Sequence, residues 1–144
     1  MNRRDAIKTT AGAVLLSSLA QAADGGTPMT VKPSGIAAHK EVYEAALACI
    51  RAGTECLDHC IRSLQAGDKM LVECTTTVRA MLPLCRATAE LALQDSAHLK
   101  ALAAVCAKAC RDCEAACKKH AGHHAECKAC MESCKRCADA CEKA

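Results

Sequence analysis

The spacing of the cysteines constrains this chain more than any other feature. Cys106, Cys110, Cys113 and Cys117 follow one another at intervals of four, three and four, and Cys127, Cys130, Cys134, Cys137 and Cys141 at three, four, three and four. An α-helix turns about 100° per residue, so these intervals stack the side chains on one face. Cys49, Cys56 and Cys60 fall within a sector of about 40° on the same wheel. Cys74 and Cys85, eleven apart, again share a face, with Val78 and Met81 between them. Soluble bundles give such positions to Leu, Ile and Val. Here sulfur stands where hydrocarbon is expected.

Breakers and caps divide the rest of the chain. Asp24 to Pro33 holds Gly25, Gly26, Pro28 and Pro33 and reads as a turn-rich lead-in. A helical pattern then runs from about Ile36 to Gln65 and stops at Gly67. Asp68 can cap a second helix to about Gln94, with a kink expected at Pro83. Asp95-Ser96 opens a third helix to about His120, and after Gly122 a fourth runs from about His124 to Glu142. Strand alternation is absent. Long helices on short loops lie antiparallel to their neighbours, so the expected fold is all-α, an up-down-up-down four-helix bundle with a Cys-lined core.

The first 22 residues read as an address. Arg3, Arg4 and Lys8 precede a mild apolar stretch and the small-residue site Ala20-Gln21-Ala22, and the paired arginines resemble a bacterial twin-arginine signal. The expected organisation is therefore a signal over 1–22, a flexible lead-in over 23–35 and a bundle over 36–144, exported to the periplasm. Removing the signal would leave 16 basic and 15 acidic side chains. That balance gives no reason to expect a polyanionic partner, and one Tyr with no Phe or Trp offers nothing for bases to stack on, so nucleic acid is not expected. No apolar run reaches the roughly 18 residues of a membrane span.

Fourteen cysteines on inner faces admit few uses. A redox enzyme needs an exposed low-pKa thiol, usually on an α/β scaffold, whereas the Cys-x-x-Cys pairs here are mid-helix, so no catalysis is expected. A disulfide-bonded structural or interaction protein remains an alternative, although thiols one helical turn apart have nearly parallel Cβ vectors. A Zn-thiolate protein is another, although closed four-thiol sites do not divide fourteen evenly. Cu(I), a soft ion, accommodates the stripes best. The Cys-x-x-x-Cys pairs 56/60, 106/110, 113/117, 130/134 and 137/141 can each supply two sulfurs, while Cys49, Cys74, Cys85 and Cys127 bridge to facing helices. Bridging thiolates could hold on the order of one Cu(I) per Cys, each neutralising a charge that is costly to bury.

The paired arginines, the four Ala-rich helices and the Cys-x-x-x-Cys stripes together resemble the bacterial copper storage proteins. The resemblance covers essentially the whole mature chain and is most specific on helices three and four. It implies many Cu(I) ions inside the bundle, reversible loading, supply to recipient copper enzymes and a homotetramer. Antiparallel packing further gathers His59, Cys60, Met70, Cys74, His120, His123, His124 and Cys127 at one end. His59 and Met70 are the candidates for a softer site that relays copper in and out. Tyr43, Leu47, Leu91 and Leu99 are expected to plug the other end.

Overall fold

The computed structural model describes residues 30–144. The segment read as a signal, 1–22, and residues 23–29 of the lead-in lie outside them.

Four helices follow in order: α1 (Ile36–Gln65), α2 (Val72–Leu93), α3 (Leu99–Lys118) and α4 (Ala125–Cys141). A single 3-10 turn, Lys69–Leu71, precedes α2. Each helix packs on two neighbours, α1 on α2 and α4, and α3 on α2 and α4, which closes a square antiparallel bundle.

The breaks have local causes. Gly67 takes φ +100° after α1, and the Asp68 amide donates back to the Ser63 carbonyl at 3.0 Å, which is a Schellman stop. The Asp68 carboxylate accepts from the Met70 amide at 3.1 Å and starts the next turn. At the end of α2 the left-handed residue is Asp95, φ +51°, with the Ser96 amide donating to the Leu91 carbonyl at 3.1 Å. Lys32 Nζ and the His39 ring hold its carboxylate at 2.6 and 3.1 Å.

Helix α2 runs through Pro83 without a break, as expected. Pro83 and Arg79, whose carbonyl loses its partner, are both exposed, so water can satisfy that oxygen. The irregular backbone lies instead at His39 of α1, φ −123° and ψ 28°, where the ring reaches Asp95. The apolar end is also built differently: Leu99 is buried but Leu47 is 43% exposed. Val42, Ala46, Ala89, Ala92 and Ala103 fill that layer.

Large side chains are scarce in the core. Leu71, Met81, Val78 and Thr88 are the bulkiest fully buried residues, and the remainder is mostly Cys and Ala. Ion pairs lace the outside, with Arg111 of α3 reaching Asp139 and Glu142 around α4 at 2.5 and 3.0 Å and Lys119 reaching Glu73 at 2.7 Å. Exposed pairs of this kind contribute little each. Cohesion therefore rests on the interior, where sulfur meets sulfur.

Candidate metal centre

All fourteen cysteines are buried free thiols. The helices position them by register: a spacing of three and four on each inner face puts one sulfur per turn into the space the bundle encloses. Of the Cys-x-x-x-Cys pairs, 56/60, 113/117 and 130/134 each bring their sulfurs to 3.9 Å. The pairs 106/110 and 137/141 also join partners on other helices. Cys85 contacts Cys106 and Cys110 at 3.7 Å each and Cys137 at 3.9 Å, and Cys141 groups with Cys106 and Cys137.

Contacts between helices are as close as those within them. Cys74 Sγ lies 3.2 Å from Cys117, 3.7 Å from Cys60 and 3.8 Å from Cys56, so α2 touches both α1 and α3 through one thiol. Cys56 meets Cys127 at 3.8 Å, Cys113 meets Cys130 at 3.9 Å, and Cys49 meets Cys134 at 3.6 Å. Every cysteine belongs to at least one group whose sulfurs lie within 4.8 Å of one another: Cys49/85/110/137, Cys56/60/74/127, Cys56/117/130, Cys106/137/141 and Cys113/130/134. Cys56, Cys130 and Cys137 each serve two groups. A set of closed zinc tetrahedra would not share ligands this way, whereas an array of bridged soft ions does.

The electrostatics follow from crowding. Thiols this close cannot all ionise, so proton affinity divides among them. Cys74 is held below its ordinary value, chiefly by the hydrogen bond from Cys117, with Cys127 adding to it. Cys60 is pushed up by burial first, then by the charges of Cys56 and Cys74. At Cys127 the hydrogen bond with Cys56 pulls down, but the bond with Cys74, burial and the Cys74 charge outweigh it and raise the thiol to about 11. A monovalent cation that replaces the protons removes this conflict.

At the end where α1, α3 and the starts of α2 and α4 meet, the donors change. His59 Nε2 sits 2.8 Å from His124 Nδ1 and 3.4 Å from Ser63 Oγ, with Glu126 3.5 Å from His59 Nδ1. His124 faces Asp68 at 3.7 Å. A cleft of about 390 Å³ lined by Asp68, Met70, His120, His123 and His124 opens beside them. Met70 is 75% exposed, on the wall of this cleft rather than in the thiol stripe. The sequence gathered His59 and His124 at this end but took only His59 as a donor; the structure pairs the two rings, His124 preceding α4 by one residue.

The family model described as copper storage protein matches residues 36–144, the whole of the bundle. This chain belongs to the copper storage protein family.

Solved structures agree. The Cu(I)-bound copper storage protein of Bacillus subtilis is 28% identical with a TM-score of 0.67, over 72% of this chain and 94% of that one. The Streptomyces lividans copper storage protein loaded with 10 copper equivalents is 31% identical with a TM-score of 0.67, over 74% of this chain and 83% of that one. A second structure from Streptomyces lividans, described as a cytosolic copper storage protein with five coppers, is 30% identical with a TM-score of 0.68, over 76% and 92%. These relatives are named for storing copper, not for catalysing a reaction.

Location requires a correction. The Streptomyces lividans protein is cytosolic, so membership of the family does not bring export with it, and the periplasmic placement read from residues 1–22 does not stand. The chemistry of the interior gives the reason: free thiols persist where they are kept reduced, and a buried thiol array needs no oxidising compartment.

Proposed function

We propose that this chain stores Cu(I) in bulk, on the order of one ion per Cys, and releases it to recipient copper enzymes. The metal-holding unit is the bundle of residues 36–144, and the ligands are Cys49, Cys56, Cys60, Cys74, Cys85, Cys106, Cys110, Cys113, Cys117, Cys127, Cys130, Cys134, Cys137 and Cys141. One observation carries this reading: fourteen buried free thiols form two sets of groups that share members, joined by the Cys49–Cys134 contact at 3.6 Å. An array of that kind multiplies capacity and offers no open coordination position for turnover, so it suits storage.

His59 and Met70 relay the ion between solvent and the thiols. In support, His59 is half-buried and adjoins Cys60 in sequence, while Met70 lies on the wall of the cleft at that end. Neutral nitrogen and thioether donors bind Cu(I) without adding negative charge, so they hold it less tightly than paired thiolates and can hand it on. The homotetramer implied by family resemblance finds support in a shallow groove of about 260 Å³ on the outer face of α1 and α2, lined by Tyr43, Leu47, Ile50, Ala89 and Leu93 together with Arg86 and Glu90.

The test is an anaerobic titration of reduced protein with Cu(I), followed by removal with a competing chelator. Saturation near one metal per Cys with full recovery of copper is expected, and a His59→Ala/Met70→Leu variant should reach the same capacity more slowly. Saturation at one or two metals would contradict storage, and unchanged rates in the variant would remove the relay.

A further inference from the structure

The 4-3-4 register that carries cysteines on α3 runs along α2 as Cys74, Val78, Met81 and Cys85. Met81 therefore occupies a position in the sulfur stripe, and it is fully buried. Its Sδ accepts hydrogen bonds from two thiols on different helices, Cys85 at 3.2 Å and Cys49 at 3.5 Å. The lone pairs of the thioether thus point at the very sulfurs that would ligate copper there.

Opposite Met81, the stripe of α1 reads Cys49, Gly53, Cys56, Cys60, with a glycine where a side chain would otherwise stand. A Cβ at Gly53 would meet Met81 Cε at 2.9 Å and Leu82 Cδ2 at 3.1 Å. A helix interior gives up stability for glycine, so the missing side chain at Gly53 is matched to the long one at Met81. The pair sits at a junction. Cys49 connects through Cys134 towards the His-lined end, and Cys85 connects to Cys106, Cys110 and Cys137 towards the other. Cys49, Cys85, Cys110 and Cys137 are grouped within 4.8 Å, and Met81 divides the step from Cys49 to Cys85 into the two shorter ones.

Resting on the storage reading, we infer that Met81 is a fifteenth sulfur ligand, binding Cu(I) together with Cys49 and Cys85. Charge explains the choice of a thioether. When copper enters, Cys49 and Cys85 release their protons to solvent and the two thiolates with one Cu(I) carry a net charge of −1. A third thiolate would make −2 in a dry interior, which is costly. Met81 adds a third donor with no proton to lose and no charge to bury.

Selenomethionine labelling tests this with Cu(I) alone as the probe. The full chain with Met70→Leu, labelled and loaded anaerobically, should show selenium–copper scattering at the selenium edge. The labelled Met70→Leu/Met81→Leu chain should show that signal reduced to background while still loading copper, since Met to Leu conserves core volume. Full loading with no selenium–copper signal in Met70→Leu overturns the Met81 ligand and leaves storage intact. A signal that survives unchanged in the double variant assigns it to another methionine and also overturns the inference. No copper uptake by either chain would overturn the storage reading and this one together.

Discussion

Each cysteine here is a weak core residue that carries a soft donor. A thiol is smaller than the Leu it replaces, and the lost contact costs on the order of 1 kcal/mol or more per position. Its proton is the other liability. Cys127 in the folded chain holds its proton to about 11, against an ordinary value of 9.0. Between those two values the unfolded chain has already released that proton while the folded chain retains it, so the unfolded state binds fewer protons and stability falls as pH rises. Cys60, raised by burial and by its charged neighbours, acts in the same direction. The metal-free, reduced protein should therefore lose thermal stability between pH 9 and 11, and the Cu(I)-loaded protein should lose much less. Anaerobic melting curves at several pH values check this, and a pH-independent melting temperature over that range would show that the folded thiols do not hold their protons.

At the scale of helices, the sequence pattern was informative wherever a single element determined the outcome. Periodicity placed α1, and the Gly67 stop and the Asp68 cap are visible as residues with one conformational role each. What was illegible depends on a second element. The break at His39 and the left-handed Asp95 make sense only once Lys32, His39 and Asp95 converge from opposite ends of an α1–α2 pair. Leu47 reads as core by residue type yet faces outward, because small alanines let the helices close over that layer without it. Antiparallel packing placed His124 at the right end, but its pairing with the His59 ring needed both helices in register. Gly35 is another such case. It is buried, its amide donates to the Leu93 carbonyl at 2.7 Å, and an added Cβ would collide with the backbone of Ala92 and Asp95. Backbone cannot swing aside as a side-chain tip can. Gly35→Ala should cost about 1–3 kcal/mol, as overpacking does, seen as a lower urea midpoint with unchanged slope. A midpoint at the parent value would mean that the start of α1 is not pinned to the α2–α3 turn.

Over the whole molecule, one quantity connects fold to function: how much of the enclosed volume is sulfur. A bundle lined by aliphatic side chains would be tighter but could hold no ion, whereas this one leaves its cohesion to be completed by what it binds, because any ligand of the folded state alone stabilises it by mass action. The cysteine stripes announced that interior before any coordinates did, since fourteen thiols at helical intervals admit few other arrangements. They did not reveal the Met81–Gly53 complementarity, which requires two helices in register. The decisive measurement is a crystal structure of the reduced chain loaded anaerobically with Cu(I), with anomalous scattering recorded on both sides of the copper edge. Copper peaks should run in a line along the bundle axis, each between two or three cysteine sulfurs from within or between helices. Peaks confined to the surface histidines, or paired disulfides around a metal-free centre in loaded crystals, would contradict storage in the core.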